Sequence, residues 1–120
     1  MADESWPSEI RLSPDKRTLT VSFGADRRYQ IPAELLRVES PSAEVQGHSA
    51  AEKRLVAGKR DVRIVGIDPV GSYAVKLSFD DGHSTGIYSW TTLAEFGRDG
   101  SELMRAYEEK IAEAGVSRDR

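Results

Sequence analysis

The chain has 120 residues, enough for a single domain that buries about two-thirds of the surface its unfolded form exposes. It contains no cysteine, which excludes disulfide frameworks, thiolate zinc and iron–sulfur sites, and cysteine nucleophiles. Its 17 Lys and Arg stand against 20 Asp and Glu, a net charge of -3 that disfavours a generally basic nucleic-acid binder but leaves room for a local patch.

Residues 1–8 are polar and are expected to fray. Ile10 and Leu12 alternate with polar neighbours, the mark of a short strand, and Ser13-Pro14-Asp15-Lys16 reads as a turn. Leu19, Val21 and Phe23 then alternate with Thr18, Thr20 and Ser22, predicting a half-buried strand. Gly24-Ala25-Asp26 turns the chain, and Tyr29 and Ile31 bring it back, completing a three-stranded meander. Pro32 opens a short helix at a position where its missing N–H costs nothing. Glu34 is placed to meet the helix dipole, Leu35 and Leu36 form the apolar side, and Ser40-Pro41 ends the helix. Residues 40–61 carry no clear period and are expected to form a loop of about twenty residues, a length that usually marks function or disorder.

Val62, Ile64, Val65 and Ile67 are apolar on both faces, which predicts a central strand, followed by a turn at Asp68-Pro69-Val70-Gly71. Tyr73, Val75, Leu77 and Phe79 alternate, Asp80-Asp81-Gly82 signals a hairpin, and His83 to Tyr88 forms the return strand. Ser89 caps a helix, with Tyr88 and Leu93 as its hydrophobic staple and Gly97 as its stop. A second helix is expected from Asp99, with Glu102 in a capping box and Leu103, Tyr107, Ile111 and Ala114 as its stripe, ending at Gly115 before a charged tail over 116–120. The expected fold is α+β, one domain over 9–115 built of antiparallel strands, a meander plus a hairpin, with short helices. No stretch reaches the roughly 18 apolar residues of a membrane span, and the acidic start lacks an apolar signal core, so a cytoplasmic protein without a membrane partner is expected.

Candidate chemistry centres on few residues. A two-residue loop at Asp81-Gly82 would set His83 opposite Asp80, whereas a three-residue loop would set it opposite Phe79 and on that face. His83 is then either a hairpin-stabilising histidine or a metal or proton-transfer group. Glu44, His48 and His83 would make a hard-ligand metal site if the loop folded over the hairpin, although their spacing alone does not bring them together. Arg37, Lys53, Arg54, Lys59, Arg60 and Arg63 suggest a basic patch, but Glu39, Glu52 and Asp61 lie among them. No aromatic residue lies between 30 and 72 to stack a base, so no nucleic-acid partner is expected. Gly82-His83-Ser84-Thr85-Gly86 has the letters of a nucleophile elbow without its strand–turn–helix context. No nucleophile, base and orienting group can be named together, so no enzyme and no cofactor are expected.

Two longer strings carry a resemblance. One runs from Ile31-Pro32-Ala33-Glu34-Leu35-Leu36-Arg37 through Ser40-Pro41 to Gly47-His48. The other runs from Val70-Gly71-Ser72-Tyr73 through Phe79-Asp80-Asp81-Gly82-His83 to Gly86-Ile87-Tyr88-Ser89-Trp90. Together they resemble the gamma-butyrobetaine hydroxylase-like N-terminal domain family, over about Ile10 to Gly97. That family supplies the small N-terminal domain of the carnitine-pathway dioxygenases, is fused to some P-loop proteins that carry iron–sulfur clusters, and also stands alone in bacteria. In the dioxygenases it is similar in holding a structural zinc with three cysteines and a histidine, while the catalytic iron lies in a separate domain that 120 residues leave no room for. The cysteines would follow Leu36-Arg37, where this chain has Val38 to Val45 without a cysteine, and the zinc histidine corresponds to His83. The resemblance implies a small accessory or interaction domain with an unidentified protein partner, linked through the fusions to iron–sulfur protein maturation. The long loop makes Arg37, Glu44 and His48 the expected partner-facing residues, unless Arg37 and Glu44 merely pair and pin the loop.

Overall fold

The structure, a computed structural model, describes residues 7–24, 26–47 and 53–119. The strict alternation at 18–23 turns Leu19, Val21 and Phe23 to one face, where all three are buried. This strand, β2 (Thr18–Phe23), is the middle of an antiparallel meander between β1 (Glu9–Leu12) and β3 (Arg27–Pro32). The register sets Leu19 opposite Leu12 and Ile31, and Val21 opposite Ile10 and Tyr29, so the apolar face is continuous across the sheet. Ser8, within the stretch expected to fray, pairs its N–H with the Ser22 carbonyl at 2.7 Å, and residues 1–6 lie outside the described residues. Pro32 precedes the short helix α1 (Ala33–Val38), which buries Leu35 and Leu36.

The second half forms another antiparallel sheet, in the order β4 (Ile64–Val70), β5 (Ala74–Phe79), β6 (Gly86–Ser89). Val75, Leu77 and Phe79 face the shared core beneath both sheets. Here the sequence reading needs two corrections. The strand read as central is β4, an edge strand bonded only to β5. Its register shifts between Ile64 and Gly66, and the extra residue there, Val65, is 53% exposed. Two adjacent apolar residues mark this bulge, not two buried faces. The strand also runs through Pro69, which an edge tolerates because no ladder bond needs its N–H, so the turn comes at 71–73.

The expected pair of C-terminal helices is one helix, α3 (Trp90–Ala114), of 25 residues. Its cap is as the sequence implies, with the Thr92 N–H donating to Ser89 Oγ at 3.1 Å, and Gly115 ends it in the left-handed region at φ 71°. Gly97 does not stop the helix. A Cβ at that position would stand 2.3 Å from Cβ and Cγ of Tyr29, so the glycine lets α3 lie against β3. Further along, Tyr107 and Ile111 form a smaller apolar cluster with Val38, and Tyr107 donates its hydroxyl to the Val56 carbonyl at 2.5 Å.

The charged segment after α3 is docked onto the domain. Gly58 and Arg60 donate their N–H groups to the carbonyls of Ser117 and Arg118, each at 2.9 Å. Arg118 also forks onto both carboxylate oxygens of Glu34 at 2.7 and 2.8 Å. Glu34 is buried, so its main partner is this guanidinium, with the dipole of a six-residue helix a lesser influence.

The Gly97 contact yields a signed prediction. Alanine gains about 1 kcal/mol of helix propensity over glycine, but overpacking a rigid contact costs about 1–3 kcal/mol or more. With the nearest atoms at 2.3 Å belonging to the root of the Tyr29 side chain, the steric cost wins. Gly97→Ala should therefore lower the urea midpoint, whereas a rise would show that α3 does not bear on Tyr29.

Candidate functional site

The hairpin turn places His83. The Gly82 N–H donates to the Phe79 carbonyl at 3.1 Å, the Phe79 N–H donates to the His83 carbonyl at 2.9 Å, and Gly82 has a φ of 93°. This is a three-residue loop, Asp80-Asp81-Gly82, with glycine at its left-handed position. Of the two registers open from sequence, it selects the one that puts His83 opposite Phe79. The two rings lie 6.1 Å apart and His83 is buried. After this turn the paired return strand is shorter than expected, beginning only at Gly86.

The loop after α1 closes over the imidazole. Within the stretch read as irregular, Ser42 caps a four-residue helix, α2 (Ala43–Gln46), by accepting the Glu44 N–H at 3.1 Å. Ser40 Oγ lies 3.0 Å from His83 Nε2, and Glu44 Oε1 lies 3.1 Å from Nδ1. Ser40 Oγ accepts the Ser42 N–H at 3.2 Å, which leaves its own proton for Nε2. The proton of a neutral ring then sits on Nδ1 and points at Glu44; this tautomer is assigned from the partners. Burial, aided by the nearby Arg37 charge, holds the His83 pKa below its ordinary 6.5 and so favours that neutral ring. Glu44 also accepts from Thr85 Oγ1, and Thr85 Oγ1 meets Ser42 Oγ, both at 2.7 Å.

The strand below is shaped for this network. Tyr88 donates its hydroxyl to the Leu36 carbonyl at 2.5 Å, and burial pushes its pKa up. A Cβ on Gly86 would come within 2.5 Å of Ser40 Oγ, so only glycine leaves the serine its place.

Asp81, which the sequence marks only as a turn residue, anchors a second cluster. It accepts Arg37 Nε at 2.7 Å, Lys59 Nζ at 2.6 Å and the His83 N–H at 3.0 Å. Burial works against the charged carboxyl, but the bonds from Lys59, the His83 amide and Arg37 outweigh it and hold the pKa down to about 2. Arg37 and Glu44 therefore do not pair with each other; each binds the hairpin separately. His48, the third expected site residue, lies outside the described residues.

Between these clusters lies an open groove of about 660 Å³, lined by Arg37 and Glu44 of the α1–α2 segment, Arg54 and Lys59 of the stretch that follows, and His83 of the hairpin. The basic residues read as a patch are mostly paired: Lys53 with Glu39 and Arg60 with Asp119, each at 2.5 Å, and Lys59 with Asp81. Asp61 pairs outside the patch, with Arg17. Arg54 has no side-chain partner among the described residues and opens onto the groove.

Ser40, His83 and Glu44 share the bonding order of a serine-hydrolase triad. Ser40, however, is 0% exposed, is absent from the groove wall and already accepts an amide, so its oxygen has no path to a substrate. The arrangement braces the loop against the hairpin. A zinc held by three cysteines and a histidine does not fit these residues. No cysteine exists, both nitrogens of His83 are engaged by Ser40 and Glu44, and no group of three metal-ligating side chains occurs among the described residues.

The profile of one family, gamma-butyrobetaine hydroxylase-like, N-terminal, matches residues 10–94. The chain belongs to this family. Its fold is also that of two proteins whose structures were solved in solution by NMR. One is 48% identical, with a TM-score of 0.83 over 96% of this chain and 90% of that one. The other is 42% identical, with a TM-score of 0.81 over 98% and 88%. A DUF971 family protein of unknown function from Acidithiobacillus ferrooxidans, solved by crystallography, is 36% identical, with a TM-score of 0.65 over 78% of this chain and 94% of its own. Among curated proteins, none matches.

Two predictions follow from the site. The Asp81 pKa is lower in the fold than its usual 3.8, so its stabilising contribution is complete above about pH 4 and is lost as pH falls toward 2. His83 binds its proton less readily folded than unfolded, so stability also begins to fall below about pH 6.5. Urea midpoints measured down this range should decline in both windows, and Asp81→Asn should flatten the lower one while weakening the protein at neutral pH. An unaltered lower window would separate Asp81 from the acid response. For metal, thermal melts with and without a strong chelator should overlay, since Ser40 and Glu44 already hold His83. A downward shift with chelator would show a metal in their place.

Proposed function

We propose that this is a non-enzymatic accessory domain that binds a protein partner in the groove between the α1–α2 segment and the β5–β6 hairpin. One observation carries the reading. The two most distinctive strings of the sequence, 31–47 and 70–90, are far apart in the chain yet meet at His83 and form walls of the same groove. Ordered loops on a rigid scaffold are the usual place for binding residues. The burial of Ser40, the hydroxyl bonded to His83 Nε2, supports a binding role over catalysis.

The groove can be blocked without disturbing the core. Ser84 lines it and is exposed, while Ile87 is exposed on the strand beyond it. Wild type, Ser84→Trp and Ile87→Ser should melt alike. A partner that binds wild type saturably should be retained by Ile87→Ser and lost by Ser84→Trp. Partners held equally by Ser84→Trp, or no saturable partner at all, would overturn the proposal.

A further inference from the structure

We infer that the groove takes an acidic peptide segment of a partner protein, with an apolar side chain next to its carboxylates; this rests on the groove being the binding face. The chain is acidic overall, yet among the described residues three cations, Arg37, Arg54 and Lys59, line this groove against the single carboxylate of Glu44. Asp81, which neutralises part of that charge, is already occupied by Arg37 Nε, Lys59 and the His83 amide. Among the described residues, both arginines of the groove keep uncommitted donors. Arg54 is exposed and has no side-chain partner among the described residues. Arg37 Nη1 is buried with no acceptor, a state that costs free energy until a small movement brings an acceptor to it. A carboxylate set between these two guanidinium groups would serve both, with the geometry arginine favours.

The other walls decide between anions. Val45, Leu55 and Val56 also line the groove, and Leu55 is 40% exposed, so the occupant has apolar matter to cover. A phosphate cradle needs several free backbone N–H groups converging on one point. Here the Gly82 amide is spent on Phe79 and the His83 amide on Asp81. Among the described residues no Phe, Tyr or Trp is on the wall to stack a nucleic-acid base. A chain that mixes Asp or Glu with Leu fits the cations and the apolar floor together.

The test titrates the isotope-labelled full chain with the peptide Asp-Glu-Leu-Asp-Glu-Leu, its uncharged counterpart Asn-Gln-Leu-Asn-Gln-Leu, and inorganic phosphate, followed by amide chemical shifts. The acidic peptide should move the amides of Arg54, Lys59 and residues 82–85 saturably. It should bind about tenfold more tightly than the uncharged peptide, and Arg54→Glu should weaken it by about tenfold. Added salt should weaken it further. Equal binding of the uncharged peptide, equal shifts from phosphate alone, or no shift in the groove would overturn the inference. Should the peptide fail while Ser84→Trp still abolishes partner binding, only the class of occupant falls. Should Ser84→Trp leave the partner bound, the groove itself falls, and the inference with it.

Discussion

The grooved end of this domain depends on one imidazole satisfied on both sides. His83 receives a proton from Ser40 and gives one to Glu44, and so ties a loop that follows the first sheet to a hairpin of the second. A buried ring with one nitrogen unpaired would carry a desolvation cost of about 1–3 kcal/mol. Here the network closes, because Ser42 completes Ser40 and Thr85 completes Glu44. The hydrogen bonds therefore fix the relative position of two walls that share no backbone pairing.

This arrangement bears on the family relationship. Ser40 lies in the segment where the resemblance places zinc cysteines, and it contacts the histidine that the resemblance makes a ligand. The cross-link between these two segments is made by neutral and charge-assisted hydrogen bonds. Such a cross-link is weaker than coordination to a metal, and it calls for more of its surroundings. Gly86 must lack a side chain to admit Ser40, and Tyr88 must find its acceptor at Leu36.

Much of the scaffold was legible in the sequence because local chemistry and tertiary outcome agree there. The alternation along Thr18–Phe23, the Asp-Gly turn before His83 and the Ser89 cap each act within a few residues. The misread positions are those where a distant contact overrides a local signal. Gly97 looks like a helix stop, but its reason is Tyr29 on another element. Glu34 looks like a dipole partner, but its counter-ion is 84 residues away. Val65 looks buried because a bulge cannot be seen in a run of apolar letters. At the site, the spacing named Arg37, Glu44 and His83 but could not join them. Asp81 and Ser40 went unnoticed, since a turn aspartate and a serine before proline are ordinary local punctuation.

The tether between the end of the chain and the domain has a consequence for the groove. Residues 58 and 60 bond to the backbone of 117 and 118, and Lys59 between them lines the groove. Arg118 is in turn locked to Glu34 on α1, the helix that also carries Arg37. Two walls of the groove are therefore held in place by a segment that does not itself line it. Any coupling between an occupant of the groove and the docking of residues 117–118 is reciprocal: docking strengthens binding by the same free energy by which binding steadies the docked segment. A change that frees residues 117 and 118 would remove the support on either side of Lys59 and so reshape a surface it never touches.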